Sequence, residues 1–135
     1  MLSKNQMKLL RSLQRKKERQ QERLFVVEGG KPVAELLASG WPLHSLYLSE
    51  DFAAAHADLL QDWPVTLCSA DELAAAGSLV SNRDALAIAR MPDETSLSAP
   101  EPGEWVLALD RINDPGNLGT LLRIADWYGI RRVVC

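Results

Sequence analysis

Asp110-Arg111-Ile112-Asn113-Asp114-Pro115-Gly116-Asn117-Leu118-Gly119-Thr120-Leu121-Leu122-Arg123 is the stretch on which the reading of this chain turns. The apolar run Val106 to Leu109 before it reads as a buried strand. Leu118, Leu121, Leu122 and Ala125 within and after it repeat at helical spacing. The Pro, Gly and Asn residues between them let the backbone turn sharply and leave amide groups free. Arg123 lies two turns into the helix. A strand, a glycine-rich turn and a helix mark the carboxyl end of a strand, where α/β sheets bind their ligands.

The spacing excludes two phosphate-binding patterns. No Lys follows Gly119, so the turn is not a P-loop, and Gly116 and Gly119 do not make the dinucleotide-binding G-x-G-x-x-G. Local chemistry leaves two readings open: a ligand-binding turn, or a purely structural one in which Asn117 caps the helix.

Composition narrows the class. The 135 residues suffice for one ordinary domain, or for a small domain and part of another. No apolar run is long enough to span a bilayer, and the charged N-terminus lacks the apolar centre of a signal peptide. Cys68 and Cys135 are far apart and without metal-type partners, which predicts reduced packing residues and a cytoplasmic protein. His44 and His56 have no ligand spacing, so no metal is expected. The net charge of −3 conceals a split. Met1 to Arg23 holds eight basic residues against Glu18 and Glu22, whereas the remainder holds seven basic and sixteen acidic groups. A basic arm on an acidic body predicts a polyanion at one end, with Lys16, Lys17 and Arg19 as contacts; a solvated helix face is the plainer alternative. The arm reads as one helix over 1–23, with Ser3 as its cap and an apolar stripe of Leu2, Met7, Leu9, Leu10 and Leu13.

From Leu24 the pattern alternates. Strands are predicted at Leu24–Val27, Leu43–Leu48, Val65–Cys68 and Asp84–Arg90. Helices are predicted at Pro32–Ala38, Asp51–Leu60 and from the capping box Ser69–Glu72 to Ala76. This order predicts a small, largely parallel three-layer α/β sandwich over 24–91. Three Pro and no periodicity make 92–104 a linker. A second α/β unit, 105–135, holds a strand, the helix Asn117–Tyr128 ending at Gly129, and a strand at Arg132–Cys135, too little to enclose a core. Arg131 and Arg132 read as surface residues at the start of that strand.

Asp114 to Gly129, read as Asp-Pro-Gly-Asn-Leu-Gly-Thr-x-x-Arg-x-Ala-Asp-x-x-Gly, resembles the first motif of the SpoU (TrmH-like) RNA ribose 2′-O-methyltransferases of the knotted SPOUT class. Leu24 to Glu35 (LFVVEGGKPVAE) resembles the opening of that family's N-terminal substrate-binding domain, in the right order upstream. Where the family often has Gln-Gly before the last strand of that domain, this chain has Asn82-Arg83-Asp84-Ala85, so no RNA contact is carried over to that loop.

The resemblance implies a three-layer RNA-binding domain followed by the beginning of a knotted α/β methyltransferase domain. It implies S-adenosylmethionine as cofactor, bound beyond Cys135, rRNA or tRNA as substrate, and a homodimer for the full-length protein. The 135-residue portion is expected to be inactive alone. Arg123 and Asn117 are then the catalytic candidates. A guanidinium clamps phosphate oxygens with a fork of donors. The family's general-base role for this Arg is demanding, because a free Arg stays protonated. Arg111, Asn113 and Lys31 are further RNA-binding candidates, and Glu28 is read as structural. A non-catalytic RNA-binding module is the alternative function. An unrelated nucleotide-binding protein is disfavoured by the glycine spacing.

Overall fold

A computed structural model describes residues 1–60, 63–93 and 97–135. The chain divides into two compact units, Met1–Asp93 and Glu94–Cys135.

The first unit begins with two helices, α1 (Lys4–Ser12) and α2 (Lys16–Glu22), where a single helix was expected. Ser3 and Gln6 form a reciprocal capping box that starts α1. The break follows from Arg19, whose guanidinium donates to the carbonyls of Leu13 at 3.0 Å and Gln14 at 2.8 Å. These last carbonyls of the α1 turn have no intrahelical partner, so a cation folded back on them ends the helix. Nor is the segment a free arm: Leu10 and Leu13 are fully buried in the core of the unit.

The body runs β1 (Leu24–Glu28), α3 (Gly30–Ala38), β2 (Leu43–Leu48), α4 (Glu50–Ala55), α5 (Ala57–Leu60), β3 (Val65–Leu67), α6 (Ala70–Ala76) and β4 (Ala85–Arg90). The expected helix 51–60 is interrupted at His56, which closes α4. The sheet order is β1-β4-β2-β3. Alternation along the strands separates two cores. Leu24, Val26, Tyr47, Leu86 and Ile88 face α1 and α6. Phe25, Val27, Leu46, Leu48 and the alanines 85, 87 and 89 face α3, α4 and α5. Leu43 joins that second face although its parity is opposite to Leu46, because a register shift between Leu43 and Ser45 inserts one residue.

Three layers are therefore present, but the largely parallel sheet is not. β2 and β3 pair in parallel, whereas β4 pairs antiparallel with both β1 and β2. β1, β2 and β3 point one way, as helical crossovers require; β4 alone opposes them and lies between β1 and β2. The cause is the route taken after α6. The Ser78 amide donates to Glu28, the last residue of β1, so the chain stays at the carboxyl end of the sheet and can only enter β4 running back. Asn82 shapes that entry: buried, it donates to the Ala85 carbonyl at 2.9 Å and accepts from the Asp84 and Ala85 amides.

In the second unit β5 (Val106–Ala108) pairs in parallel with β6 (Arg132–Val134), joined by α7 (Pro115–Trp127) and a turn through Gly129 at φ +70°. Among the described residues of this unit only Ala125 is buried, while Trp105, Trp127 and Tyr128 are largely exposed. Part of the expected linker, 94–96, lies outside the described residues. Its later part is tied down: Arg132 pairs with Glu104 at 3.0 Å and donates to the Ser98 carbonyl at 3.0 Å, so Arg132 is a half-buried anchor rather than a plain surface residue. Cys68 packs in the core, whereas Cys135 is exposed and does not. No helix among the described residues is long and apolar enough to cross a membrane.

Candidate functional site

The loop between β5 and α7 is built by its own residues. Asp114 is the N-cap, its carboxylate accepting the Asn117 amide at 2.7 Å, and Pro115 at the first helical position fits because its missing N–H would have had no partner. Asn117 is thus not the cap; its side chain is left over for other partners and is exposed. Two residues before Asn113, Arg111 takes a left-handed conformation, φ +53°, which an L-residue with a long side chain adopts only under constraint. Its guanidinium reaches the Asp110 carboxylate at 4.0 Å, both groups in solvent. Asn113 is exposed beside it.

Along α7, Gly119 and Thr120 each lie three or four residues from both Gly116 and Arg123, which puts the four on a single helix face. Thr120 turns its hydroxyl to the Gly116 carbonyl at 3.0 Å. Arg123 is exposed and makes no ion pair or hydrogen bond among the described residues. Asn117 and Arg123 are six residues apart, about 9 Å along the axis and about a third of a turn around it. Whatever engages both must be larger than one functional group.

The remaining candidates belong to the first unit. Gln14 donates to the Glu28 carboxylate at 3.3 Å, which brings the start of α2, with Lys16 and Lys17, to the carboxyl end of β1. Lys31, at the start of α3, follows that same strand end three residues on. All three lysines are exposed. Arg19 is of a different kind, its guanidinium engaged by the α1 carbonyls. Glu28 holds the whole corner. Besides Gln14, its carboxylate takes the Ser78 amide and hydroxyl, each at 2.8 Å, and the Leu79 amide at 3.0 Å. Burial alone pushes this carboxyl up, but the donors from Ser78, Leu79 and Gln14 together bring it below its ordinary value. Sequence reading marked Glu28 as structural but had no signal for its partner fifty residues away. It also passed over Phe52 and His56, whose four-residue spacing on a helix is a signal that two rings meet. The rings stack with centroids 4.2 Å apart. Among the described residues no group of three or more His, Cys, Asp or Glu is placed to hold a metal.

Comparison with known proteins adds a family and several relatives. Residues 4–85 match the MRM3-like substrate binding domain. The chain is 33% identical over 124 residues to the 23S rRNA (guanosine(2553)-2′-O)-methyltransferase RlmP of Bacillus subtilis, covering 92% of this chain and 48% of that protein. Among solved structures, a protein described as a TrmH-family RNA methyltransferase from Porphyromonas gingivalis superimposes with a TM-score of 0.81 at 34% identity, over 98% of this chain and 51% of that one. An AdoMet-bound rRNA methyltransferase from Sinorhizobium meliloti does so with a TM-score of 0.73 at 29% identity, over 98% and 51%. The chain spans about half the length of these relatives.

Proposed function

The chain belongs to the SpoU/TrmH family of RNA methyltransferases and carries its MRM3-like substrate-binding domain; from that premise we propose that the protein methylates a ribose 2′-hydroxyl of ribosomal or transfer RNA with S-adenosylmethionine as donor. This chain supplies RNA binding and the first catalytic motif. The observation that carries the reading is the state of α7: Asp114 does the capping, and Asn117 and Arg123 are both left exposed and uncommitted beside a glycine-rich turn.

In this reading the Arg123 guanidinium takes the phosphate oxygens next to the target ribose in a two-pronged contact. Asn117 positions the ribose by donating and accepting through its amide, and Arg111 and Asn113 line the approach. The reaction needs the 2′-oxygen held in line for transfer and its proton removed, and the clamp contributes the first of these by orientation. Among the described residues of the second unit, two short strands and one helix bury a single side chain, too little to cradle the methyl donor. Its binding is assigned to the part of the relatives' length that this chain does not span. The full-length protein works as a cytoplasmic homodimer in this reading.

The test is Arg123→Ala in the full-length protein, with RNA methylation and donor binding measured separately. Methylation is expected to vanish with donor binding intact; unchanged methylation overturns the role of Arg123. The second reading, a non-catalytic RNA-binding module, is favoured by the closed core of residues 1–93. It predicts salt-sensitive RNA binding with no methyl transfer by the wild type.

A further inference from the structure

At the carboxyl ends of β1 and β2, a cleft of about 530 Å³ opens between the first turns of α3 and the length of α4. Its walls are Lys31 and Ala34 on one side and Asp51, Phe52 and His56 on the other, with Asp84 at one end. The cleft is kept open by the absence of a side chain. A Cβ at Gly30 would sit 3.0 Å from the Asp84 carboxylate and 3.3 Å from the Phe52 ring, so any other residue would push into the space or force its walls apart.

Its aromatic wall is fixed in place. His56 Nδ1 lies 3.0 Å from the Phe52 carbonyl, and since a carbonyl can only accept, Nδ1 carries the proton and donates. That bond and the stacking on Phe52 hold the imidazole plane. One face of the ring is covered by Phe52, and the half-buried residue lines the cleft. In the neutral ring Nε2 is an acceptor.

We propose that this cleft receives one unstacked, amino-bearing base of a single-stranded RNA segment, guanine above the others; the inference rests on the RNA-binding reading above and deepens it. The charge pattern selects this occupant. Asp51 and Asp84 place two carboxylates at the cleft, and among the described residues neither has an ion pair to neutralise it there. They repel a phosphate and accept N–H groups. Guanine presents two adjacent donors on its Watson–Crick edge, cytosine and adenine one amino group each, and uracil none. Unpaired bases are read in this way, by an aromatic face and by hydrogen bonds to the Watson–Crick edge. Lys31, exposed on the wall opposite Asp51, meets the phosphate of the same nucleotide.

The test titrates the 135-residue chain with uridine hexamers carrying G, A, C or U at one central position, followed by fluorescence anisotropy at fixed salt. The hexamer with G is expected to bind about tenfold more tightly than the all-uridine one, the discrimination that one good two-pronged base contact provides. Two variants address the cleft independently: Asp51→Asn with Asp84→Asn, which keeps the shape, and Ala34→Leu, which fills it. Each is expected to melt like the wild type and to lose the preference for G while keeping the salt-dependent remainder of binding. Equal affinity for all four hexamers, or a G preference that survives in both variants, overturns the inference and leaves RNA binding standing. No binding to any RNA overturns both. Competition by guanosine monophosphate at the concentration of the hexamer itself assigns the cleft to a free nucleotide and overturns the RNA occupant.

Discussion

Glu28 and Ser78 are joined twice, the carboxylate accepting both the Ser78 amide and its hydroxyl at 2.8 Å across fifty residues of sequence. This pair fixes where the chain stands when it leaves α6, and therefore that β4 descends between β1 and β2. Glu28→Gln keeps one acceptor oxygen and removes the charge that strengthens these bonds. A loss of about 1–2 kcal/mol is expected, small because the corner is only partly buried. Urea unfolding of the two proteins measures it.

The same carboxyl sets a pH dependence. Its folded pKa lies below the ordinary value of 4.5, because the donors around it outweigh the effect of its burial. The stability it contributes is therefore complete above that value and lost as pH falls below 4.5 through the folded pKa. Glu72, likewise lowered by the Ser69 and Leu2 amides, acts in the same window. Thermal melts between neutrality and pH 3 should show a shallower acid-side decline for Glu28→Gln than for the wild type (about pH 5 to 3, the range in which a lowered carboxylate takes up its proton). Parallel curves would mean that the Glu28 corner does not carry the charge-dependent bonds.

Leu13 tests whether the N-terminal segment belongs to the core. It is 1% exposed and packs with Leu24 and Leu73. Leu13→Ala should cost about 2–4 kcal/mol in denaturant unfolding, the usual loss for a large aliphatic side chain removed from a packed interior. A free basic arm would lose almost nothing.

Cations in that segment should separate by role. Lys16→Ala with Lys17→Ala is expected to leave the melting temperature unchanged and weaken RNA binding. The slope of log affinity against log salt should fall by about 0.7 for each single-strand phosphate that is no longer neutralised. Arg19→Ala should instead lower stability, because the carbonyls of Leu13 and Gln14 lose their donor.

Gly119 is the last case. It lies inside α7, and a Cβ there would meet nothing within 4 Å among the described residues. Gly119→Ala should stabilise the helix by about 1 kcal/mol, since glycine is a poor helix former. If the full-length protein then binds RNA or methylates it less well while melting higher, the space beside Gly119 is where RNA or the rest of the enzyme approaches α7. Activity equal to the wild type would show that this space is not used.

Much of the fold was legible because it is written locally. The cap at Ser3, the capping box at Ser69, the apolar run of β1, the alternation in β4 and the strand–turn–helix at 106–127 each depend on residues within a few positions of one another. A local signal for Asp114 rather than Asn117 as cap was present too: Pro115 fits the first helical position and so points to the residue before it. The break between α1 and α2 had none, because it depends on Arg19 turning back on carbonyls that look ordinary in sequence. At the candidate site, the exposed placement of Asn117 and Arg123 follows from the motif's helical spacing. The cleft of Lys31, Phe52, His56 and Asp84 comes from elements that sequence keeps apart.

Sequence by itself determined the order of strands and helical segments, though not the breaks within 1–23 and 51–60, together with the motif at Asp114–Arg123 and the family to which the chain belongs. Periodicity, caps and glycine turns act over one or two helical turns, so neighbouring residues are enough to reveal them. Only the tertiary structure decided that β4 runs antiparallel at the centre of the sheet, that Leu10 and Leu13 are core residues, and which of the basic residues remain available. Those outcomes depend on bonds such as Glu28 to Ser78, whose partners are neighbours in space alone. A strand's direction and a cation's freedom are set by what the folded chain brings beside them.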